Sequence, residues 1–286
     1  MPLVNMSELL EEAKNGRYAV GSFSVANMEM VQGVLRAVEE TQSPAIIQIA
    51  EVRLNHSPLE LIGPLMVAAA ENSEMPVAVH FDHGKTEEKI RRALDIGFSS
   101  VMIDGSHLPF EENVKMSSKI RRIAEEYGAD TECEIGCVGG SEDGSEDIAI
   151  NCSNPEEAVQ ICKKAKIQAL AVAIGNAHGN YKKEPKLRFD ILEKIANSVD
   201  VPLVLHGGTG ISEADFKKCI SLGISKINIA TATFDSVERA ARNAYESGKI
   251  KGYYDLQTAE TEGAYLNALK HIEIFGCAGK AYPDEF

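Results

Sequence analysis

An aspartate and a histidine, Asp82 and His83, stand side by side at the end of an apolar run, in AVHFDHG. A carboxylate can take a proton from a substrate hydroxyl, and a neutral imidazole nitrogen can bind a metal ion. Two more histidines, His178 in AIGNAHG and His206 in LVLHGG, also come soon after apolar runs. Three imidazoles that converge on one ion leave a fourth position open for substrate, as in catalytic zinc sites.

The elements that must position these residues follow from the hydrophobic pattern. Apolar runs without polar alternation, typical of strands covered on both faces, alternate with segments that have apolar residues at helical spacing. Eight such runs predict a single α/β domain over residues 1–286, a (β/α)8 TIM barrel with extra C-terminal helices. The predicted strands are YAVGSFSV, PAIIQIA, PVAVHFD, SSVMIDG, DTECEIG, ALAVAIG, PLVLHGG and KINIAT.

The barrel places the candidate chemistry on one face, because the loops after its parallel strands converge there. Each histidine alone is better interpreted as a core or turn residue, but three that each follow an apolar strand favour a metal site. We interpret His80, inside its strand, as structural. Two glycine-rich segments, AHGNYK and HGGTG, follow the same strands as His178 and His206. Alone they predict tight turns; beside the histidines they predict a phosphate site, where exposed backbone N–H groups bind an anion.

Composition limits the partners. The chain has 44% hydrophobic and 25% charged residues, as globular proteins do, and its net charge of −14 argues against a nucleic-acid surface. No apolar run approaches the roughly 20 residues of a membrane span, and MPLVNMSELLEEAKNG predicts an acidic amphipathic helix. We therefore expect a cytoplasmic protein that binds neither nucleic acid nor membrane. The six cysteines form no C-x-x-C pair, which favours buried thiols, although Cys133 and Cys137 could instead be a metal pair.

Six segments in unbroken order resemble one family. HFDHG, GFSSVMIDGSHLPFEENV, ECEIGCVGGSEDG, AVAIGNAHGNY, LVLHGGTG and KINIAT are similar to motifs of the class II, zinc-dependent fructose- and tagatose-bisphosphate aldolases. The resemblance implies aldol cleavage or condensation of a ketose (bis)phosphate, giving dihydroxyacetone phosphate and an aldehyde, a reaction of carbohydrate metabolism and glycolysis. It further implies Zn²⁺ and a monovalent cation, Na⁺ or K⁺, a sugar phosphate substrate, and a homodimer or homotetramer.

The resemblance also implies a role for each matching position. His83, His178 and His206 match the zinc ligands. Asp82 matches the residue that exchanges a proton with the substrate C4 hydroxyl, and Glu142 matches the residue that moves a proton at C3. These roles suit the chemistry, since breaking a carbon–carbon bond next to a carbonyl leaves an enediolate, whose charge a Lewis-acidic metal stabilises by several kcal/mol.

Further positions match a second metal location and the substrate phosphate. Asp104 and Glu134 match residues near a second resting place of the metal. The positions that match the substrate- and phosphate-binding residues are Gly179, Lys182, Gly207, Gly208, Thr209, Asn228, Ala230 and Thr231.

The chain departs from the family pattern where the substrate is selected. Ser24 replaces a common asparagine, and Ala230 is typical of the tagatose enzymes. The terminal segment TAETEGAYLNALKHIEIFG contains no arginine, whereas the fructose enzymes place an arginine of a neighbouring subunit on the second phosphate. Arg53, on a predicted loop, is a cation that could replace it. A ketose 1-phosphate aldolase with a non-phosphorylated aldehyde product therefore competes with a bisphosphate aldolase.

A hydrolase and a non-catalytic subunit are competing interpretations from different classes of protein. A metal-dependent hydrolase would use zinc to activate water, but such barrels usually have H-x-H after the first strand, and SFSVANME has none. A non-catalytic companion subunit of an aldolase would not need Asp82, the three histidines and Glu142. Zinc content separates the companion from both enzymes.

Overall fold

Eight parallel strands close into a barrel in sequence order, as predicted, with β8 hydrogen-bonded to β1. The computed structural model describes residues 3–140, 149–180 and 185–282. Every strand residue is buried, because helices cover the outside and side chains fill the interior. The strands are β1 Val20–Ser24, β2 Ala45–Ala50, β3 Val77–Gly84, β4 Ser100–Ile103, β5 Asp130–Ile135, β6 Ala169–Val172, β7 Leu203–Leu205 and β8 Ile224–Ile229.

A helix follows each strand, and α1 and α10 stand at the two ends of the described chain. The helices are α1 Met6–Gly16, α2 Met28–Glu40, α3 Leu59–Asn72, α4 Glu87–Ile96, α5 Phe110–Glu126, α6 Pro155–Ala165, α7 Phe189–Ala196, α8 Glu213–Ser221, α9 Thr231–Glu246 and α10 Tyr253–Phe275, with a short 3₁₀ helix at Glu51–Arg53. Local caps end the helices: Ser212 Oγ accepts a hydrogen bond from Asp215 N at the start of α8, and Gly97 ends α4 with a φ of +109°.

Several strands, β7 and β8 among them, end earlier than the apolar pattern predicts. The run PLVLHGG predicts a strand through Gly208, but β7 stops at Leu205 because Gly207 has a φ of +63°, in the left-handed region. KINIAT predicts a strand through Thr231, whereas Thr231 is the first residue of α9. The polar residues after both strands therefore lie in tight connections directly above the barrel.

The cysteines behave as the buried-thiol interpretation expects. All six are free; Cys133, Cys219 and Cys277 are buried, and the other three are partly buried. Cys133 is fully buried in β5, and burial raises the pKa of its thiol. Within the described ranges, no helix is both long and apolar enough to cross a bilayer.

Helix α10 completes the outer layer by packing closely against α2. Arg36 on α2 bonds Glu262 through Nη2 at 2.6 Å, and its guanidinium carbon lies 3.6 Å from the ring centroid of Tyr265. The two backbones approach at Gly33, where a Cβ atom would lie only 2.4 Å from the carbonyl oxygen of Thr261. A side chain at this position would push the two helices apart.

We therefore expect Gly33→Ala to lower the free energy of unfolding by about 1–3 kcal/mol, the cost of overpacking. The atom in the way is backbone, so the clash outweighs the roughly 1 kcal/mol by which alanine favours a helix over glycine. Urea unfolding measures the change. Gly252→Ala is the matched control, since a Cβ at Gly252 would meet no atom within 4 Å. Equal stability of the two variants would contradict close packing of α2 on α10.

Candidate active site

The end of β3 explains how adjacent residues reach one site. Successive side chains of a regular strand point to opposite faces, so Asp82 and His83 should diverge. Instead, the pairing of β3 with β4 shifts register between Phe81 and Gly84, and His83 has a φ of +43°, which is uncommon for a residue with a side chain. The irregularity turns both side chains to the top of the barrel, where each contacts other candidate residues.

The structure brings the three predicted histidines together. Ring centroids are 4.7 Å apart for His83 and His206, 4.9 Å for His83 and His178, and 6.0 Å for His178 and His206. One ring nitrogen from each lies within 4.8 Å of the other two. His83 Nε2 and His206 Nδ1 are 2.8 Å apart. Three imidazole nitrogens that face one point are a donor set that suits zinc.

Carboxylates hold the opposite nitrogens of two of these rings. Asp104 Oδ2 lies 2.8 Å from His83 Nδ1, and Glu132 Oε1 lies 2.7 Å from His206 Nε2. Ser106 donates to Asp104 Oδ1 through its backbone N–H at 3.1 Å and its hydroxyl at 2.7 Å. Carboxylate partners of this kind orient ligand histidines and leave the other nitrogen for the metal. Asp104 thus contacts a predicted ligand and lies on its outer side.

Burial and charge compete at this cluster. Burial alone would lower the pKa of His83, but Asp82, Asp104 and Glu134 raise it well above its usual value. Burial would likewise raise the pKa of Asp104, yet the hydrogen bond and charge of His83 hold it well below the usual range. The acidic surroundings therefore favour positive charge at His83, and they favour a bound cation for the same reason.

Glu134 has an oxygen that points into the cluster. The side chain is buried; Oε1 accepts a hydrogen bond from Val138 N at 3.1 Å. Oε2 finds no hydrogen-bond partner in the described part of the chain and lies 3.7 Å from His206 Nδ1. Burial, followed by the charge of Asp104, raises the pKa of Glu134. A buried acceptor without a partner in the described residues, beside three imidazoles, suits the second metal location that the family resemblance implies.

Asp82 is held by two amide groups. Its Oδ2 accepts a hydrogen bond from Gln48 Nε2 at 3.0 Å, and its Oδ1 accepts one from Asn228 Nδ2 at 3.2 Å. Gln48 Nε2 also lies 3.2 Å from Ser24 Oγ, and Gln48 Oε1 accepts a bond from Ser22. The two amides fix the orientation of the carboxylate.

Gln48 and Glu132 are the principal site residues that the sequence analysis missed. Gln48 is the single polar residue of AIIQIA. Glu132 lies two residues before Glu134, so strand alternation puts both side chains on the same face of β5. Gln48 and Glu132 are fully buried in the barrel interior. For Gln48 the available signal was a polar residue in an otherwise apolar strand, and for Glu132 it was the two-residue spacing from Glu134.

The glycine-rich loops pack backbone against backbone. A Cβ at Gly207 would lie 2.2 Å from the carbonyl oxygen of Ala177, so the loops after β6 and β7 can touch only with glycine there. Gly208 N donates to Asn228 O at 3.2 Å, which joins the β7 loop to β8. Gly179 has a φ of +77° in the β6 loop. Gly207, Gly208 and Asn228, three of the predicted phosphate positions, thus lie close together.

The start of α9 adds to the same surface. Thr209 Oγ1 accepts a hydrogen bond from Ala232 N at 3.0 Å, and Ala230 precedes the helix without providing a side-chain cap. The first turn, which begins at Thr231, therefore adjoins the β7 loop with its partially positive helix end. Glu142 and Lys182, which the sequence also predicts for the site, lie outside the described residues.

Asn176 in the loop after β6 and Arg53 after β2 also have identifiable contacts. Asn176 is fully buried; its Oδ1 accepts a bond from Ile174 N at 2.7 Å and its Nδ2 donates to His206 O at 2.9 Å, so it ties the β6 and β7 loops together. Arg53 follows β2 and reaches α9, where its guanidinium carbon lies 5.0 Å from the ring centroid of Phe234. Arg53 is therefore on the rim that the ends of β2 and β8 share.

Comparison with known proteins identifies the family of the chain. Residues 4–280 match the model of the family described as fructose-bisphosphate aldolase class-II. The fructose-bisphosphate aldolase of Geobacillus stearothermophilus is 40% identical over 98% of this chain and 99% of its own, and that of Staphylococcus aureus is 42% identical over 87% and 88%. A crystal structure of the YdjI aldolase from Escherichia coli K12 superposes with a TM-score of 0.88 at 34% identity, covering 98% of this chain and 99% of that one. By sequence and by structure, the chain belongs to the class-II fructose-bisphosphate aldolase family.

Proposed function

We propose that this class II aldolase, a carbon–carbon lyase, uses zinc to cleave a ketose phosphate into dihydroxyacetone phosphate and an aldehyde, and to run the reverse condensation. One observation carries the proposal: three imidazole nitrogens within 4.8 Å of one another lie beside a buried aspartate that two amides orient. Family membership supports metal dependence, and the donor set supports zinc.

In the proposed site, His83, His178 and His206 hold the metal. When bound, zinc supplies Lewis acidity to the substrate carbonyl. Asp82 takes the proton from the C4 hydroxyl in cleavage and returns it in condensation, because its carboxylate is close to the metal ligands and held in one orientation. Glu142 exchanges the proton at C3, as its match to the family implies.

We assign supporting roles to the remaining predicted residues. Asp104 orients His83, and Glu134 is a further ligand for the metal in a second position. The glycine-rich loops and the start of α9 bind the phosphate of the dihydroxyacetone half and, through backbone oxygens, a monovalent cation, Na⁺ or K⁺. The residues proposed for this surface are Gly179, Lys182, Gly207, Gly208, Thr209, Asn228, Ala230 and Thr231.

The proposed substrate depends on the residues that differ from the family pattern, where the aldehyde half of the substrate would bind. α10 contains no arginine, Ser24 Oγ accepts a hydrogen bond from Gln48, and the guanidinium of Arg53 packs on the ring of Phe234. We therefore propose that dihydroxyacetone phosphate is always one product, while the aldehyde half is recognised with less dependence on a phosphate of its own. Ketose 1-phosphates and ketose 1,6-bisphosphates are both candidate substrates; the names of the relatives favour fructose bisphosphate.

An aldehyde-release screen across these two substrate classes tests the proposal, and the ratio of kcat/KM values gives a prediction. An arginine on a phosphate contributes charge-assisted hydrogen bonds of about 1.5–3 kcal/mol each, so without that clamp a bisphosphate should lose most of its advantage. We expect a preference below about 10³-fold, equivalent to roughly 4 kcal/mol. A larger preference would contradict the prediction and require a strong second clamp. Arg53→Ala would then show whether Arg53 provides it, with the exposed Arg242→Ala as control.

We propose three further properties. Residues 1–286 form one domain, because the family match spans residues 4–280. The protein is cytoplasmic, which the six free thiols support. It assembles as a homodimer or homotetramer, as expected from the family resemblance, and light scattering measures this directly. Neither nucleic acid nor membrane is a proposed partner.

A further inference from the structure

A buried ion pair lies in the barrel interior below the histidines. Lys226 on β8 and Glu132 on β5 are both fully buried, and Lys226 Nζ lies 2.8 Å from Glu132 Oε2. TIM-barrel interiors are normally filled with branched apolar side chains. A buried ion pair need not stabilise the folded protein, because apolar residues of similar volume in the same place often make it as stable or more stable. The pair therefore calls for a role other than holding the barrel together.

The second oxygen of the same carboxylate leads to the proposed metal site. Glu132 Oε1 lies 2.7 Å from His206 Nε2, and His206 Nδ1 lies 2.8 Å from His83 Nε2. A neutral imidazole carries one N–H, so a proton on Nε2 that is donated to Glu132 leaves the lone pair of Nδ1 for the metal. The contacts run from Lys226 through Glu132 to His206 without an intervening solvent-exposed group.

His83 has the opposite arrangement. Asp104 is hydrogen-bonded to Nδ1 of His83, so Nε2 of His83 faces Nδ1 of His206. The two rings must therefore present different nitrogens to the same point, and each presentation depends on a carboxylate in a fixed place. Asp104 is fixed by two bonds from Ser106. Glu132 Oε2 is fixed by Lys226, whereas His80 Nε2 is 3.8 Å from that oxygen, beyond hydrogen-bond distance.

We infer that Lys226 is a positioning residue which, by holding Glu132, keeps His206 with Nδ1 towards the metal. The ammonium neutralises the carboxylate inside the barrel and directs one of its oxygens away from His206, so the other oxygen meets Nε2. The inference rests on the proposed metal site, and it adds a lysine that touches neither metal nor substrate. Loss of such an outer partner typically weakens metal binding by roughly 10–100-fold.

Metal affinity tests the inference without using turnover. Zn²⁺ binding is measured by competition with a chromogenic chelator for the wild type, Lys226→Met and Glu132→Gln, after circular dichroism has confirmed folding. We expect both variants to bind zinc roughly 10–100-fold more weakly. Lys217→Met, which breaks the exposed pair with Glu213, is the matched control and should retain wild-type affinity. Wild-type affinity in folded Lys226→Met would overturn the inference.

Two additional variants separate positioning from general damage. In the double variant Glu132→Gln/Lys226→Met no charge is left unpaired, so it should fold even if Lys226→Met does not. If Lys226 acts through Glu132, the double variant should bind zinc no more weakly than Glu132→Gln alone; additive losses would overturn the inference. Lys226→Arg keeps the charge and should recover affinity relative to Lys226→Met.

A spectroscopic measurement reports the ligand geometry itself. The visible d–d bands of the Co²⁺-substituted protein should shift in Lys226→Met, or in the double variant if the single one fails to fold, and stay unchanged in Lys217→Met. Unchanged bands would overturn the positioning role. If the wild type binds neither Zn²⁺ nor Co²⁺, the proposed metal site itself fails; if the wild type binds both and the variants match it, only the role of Lys226 fails.

Discussion

Treatment with a strong chelator is expected to abolish aldol cleavage, and added Zn²⁺ is expected to restore it. The enediolate left by carbon–carbon cleavage needs an electron sink; three histidines converge beside Asp82, while the buried Lys226 is already paired with Glu132. We expect activity to fall below about 1% of the untreated enzyme, because Lewis-acid stabilisation of several kcal/mol corresponds to more than a hundredfold in rate. Aldehyde release before chelation, after it and after reconstitution is the measurement.

Full activity in chelator-treated protein with no residual metal by elemental analysis would contradict this prediction. His178→Ala should reproduce the effect of the chelator, because it removes one member of the histidine cluster. His56→Ala is the matched control, since His56 is exposed and lies on the loop after β2. A metal-dependent hydrolase would also lose activity on chelation, so the substrate screen must accompany this experiment.

The competing route to the same reaction is a Schiff base between the substrate and a lysine, and Lys226 is the lysine to consider. Lys226 is buried inside the barrel, below the histidines, but its Nζ is paired with Glu132 Oε2 at 2.8 Å. An ammonium held by a carboxylate is a poor nucleophile. Borohydride added with substrate should therefore trap no adduct. A substrate-derived mass on Lys226 would contradict the metal mechanism and assign the lysine a covalent role.

The sequence allowed the barrel and the strand-end residues to be predicted, because both depend on local patterns. Eight uninterrupted apolar runs indicated strands covered on both faces, and the polar residues after them necessarily collect on one face of a parallel barrel. His83, His178 and His206 were found in this way, and the structure brings them together. Helix starts such as Ser212 were predictable because the capping hydrogen bond is local.

The interior polar residues could not be assigned from sequence for a physical reason. Whether Gln48, Glu132 or Lys226 points into the barrel depends on how eight strands close on one another, which is a long-range property. The shift of register at His83 depends equally on the pairing of β3 with β4. The sequence therefore predicts that Asp82 and His83 act together, but only the fold shows how neighbouring residues turn to the same site.

The end of β3 leads to the second large effect, because Asp82, the proposed proton-transfer residue, and His83, a proposed metal ligand, have different hydrogen-bond partners there. Asp82 accepts hydrogen bonds from Gln48 and Asn228 and bonds none of the three histidines in the described structure. Removal of its carboxylate should therefore spare the metal site. In Asp82→Ala we expect wild-type Zn²⁺ affinity and a kcat for cleavage that is roughly 10²–10⁴-fold lower, the usual contribution of a general acid–base group.

The partner amides of Asp82 allow a sharper form of this experiment. Asp82→Asn keeps the size of the side chain but cannot take a proton, so it should lose as much activity as Asp82→Ala if proton transfer is the role of the carboxylate.

A second measurement is proton exchange with solvent at the carbon of dihydroxyacetone phosphate that corresponds to C3 of the ketose. This exchange should persist in both Asp82 variants, because the step needs no C4 hydroxyl. By the family resemblance, Glu142→Ala should slow it. Asp95→Ala, at an exposed carboxylate bonded to Tyr127, is the control. Near-normal cleavage by Asp82→Asn would remove Asp82 from proton transfer, and loss of zinc together with activity would make it a part of the metal site instead.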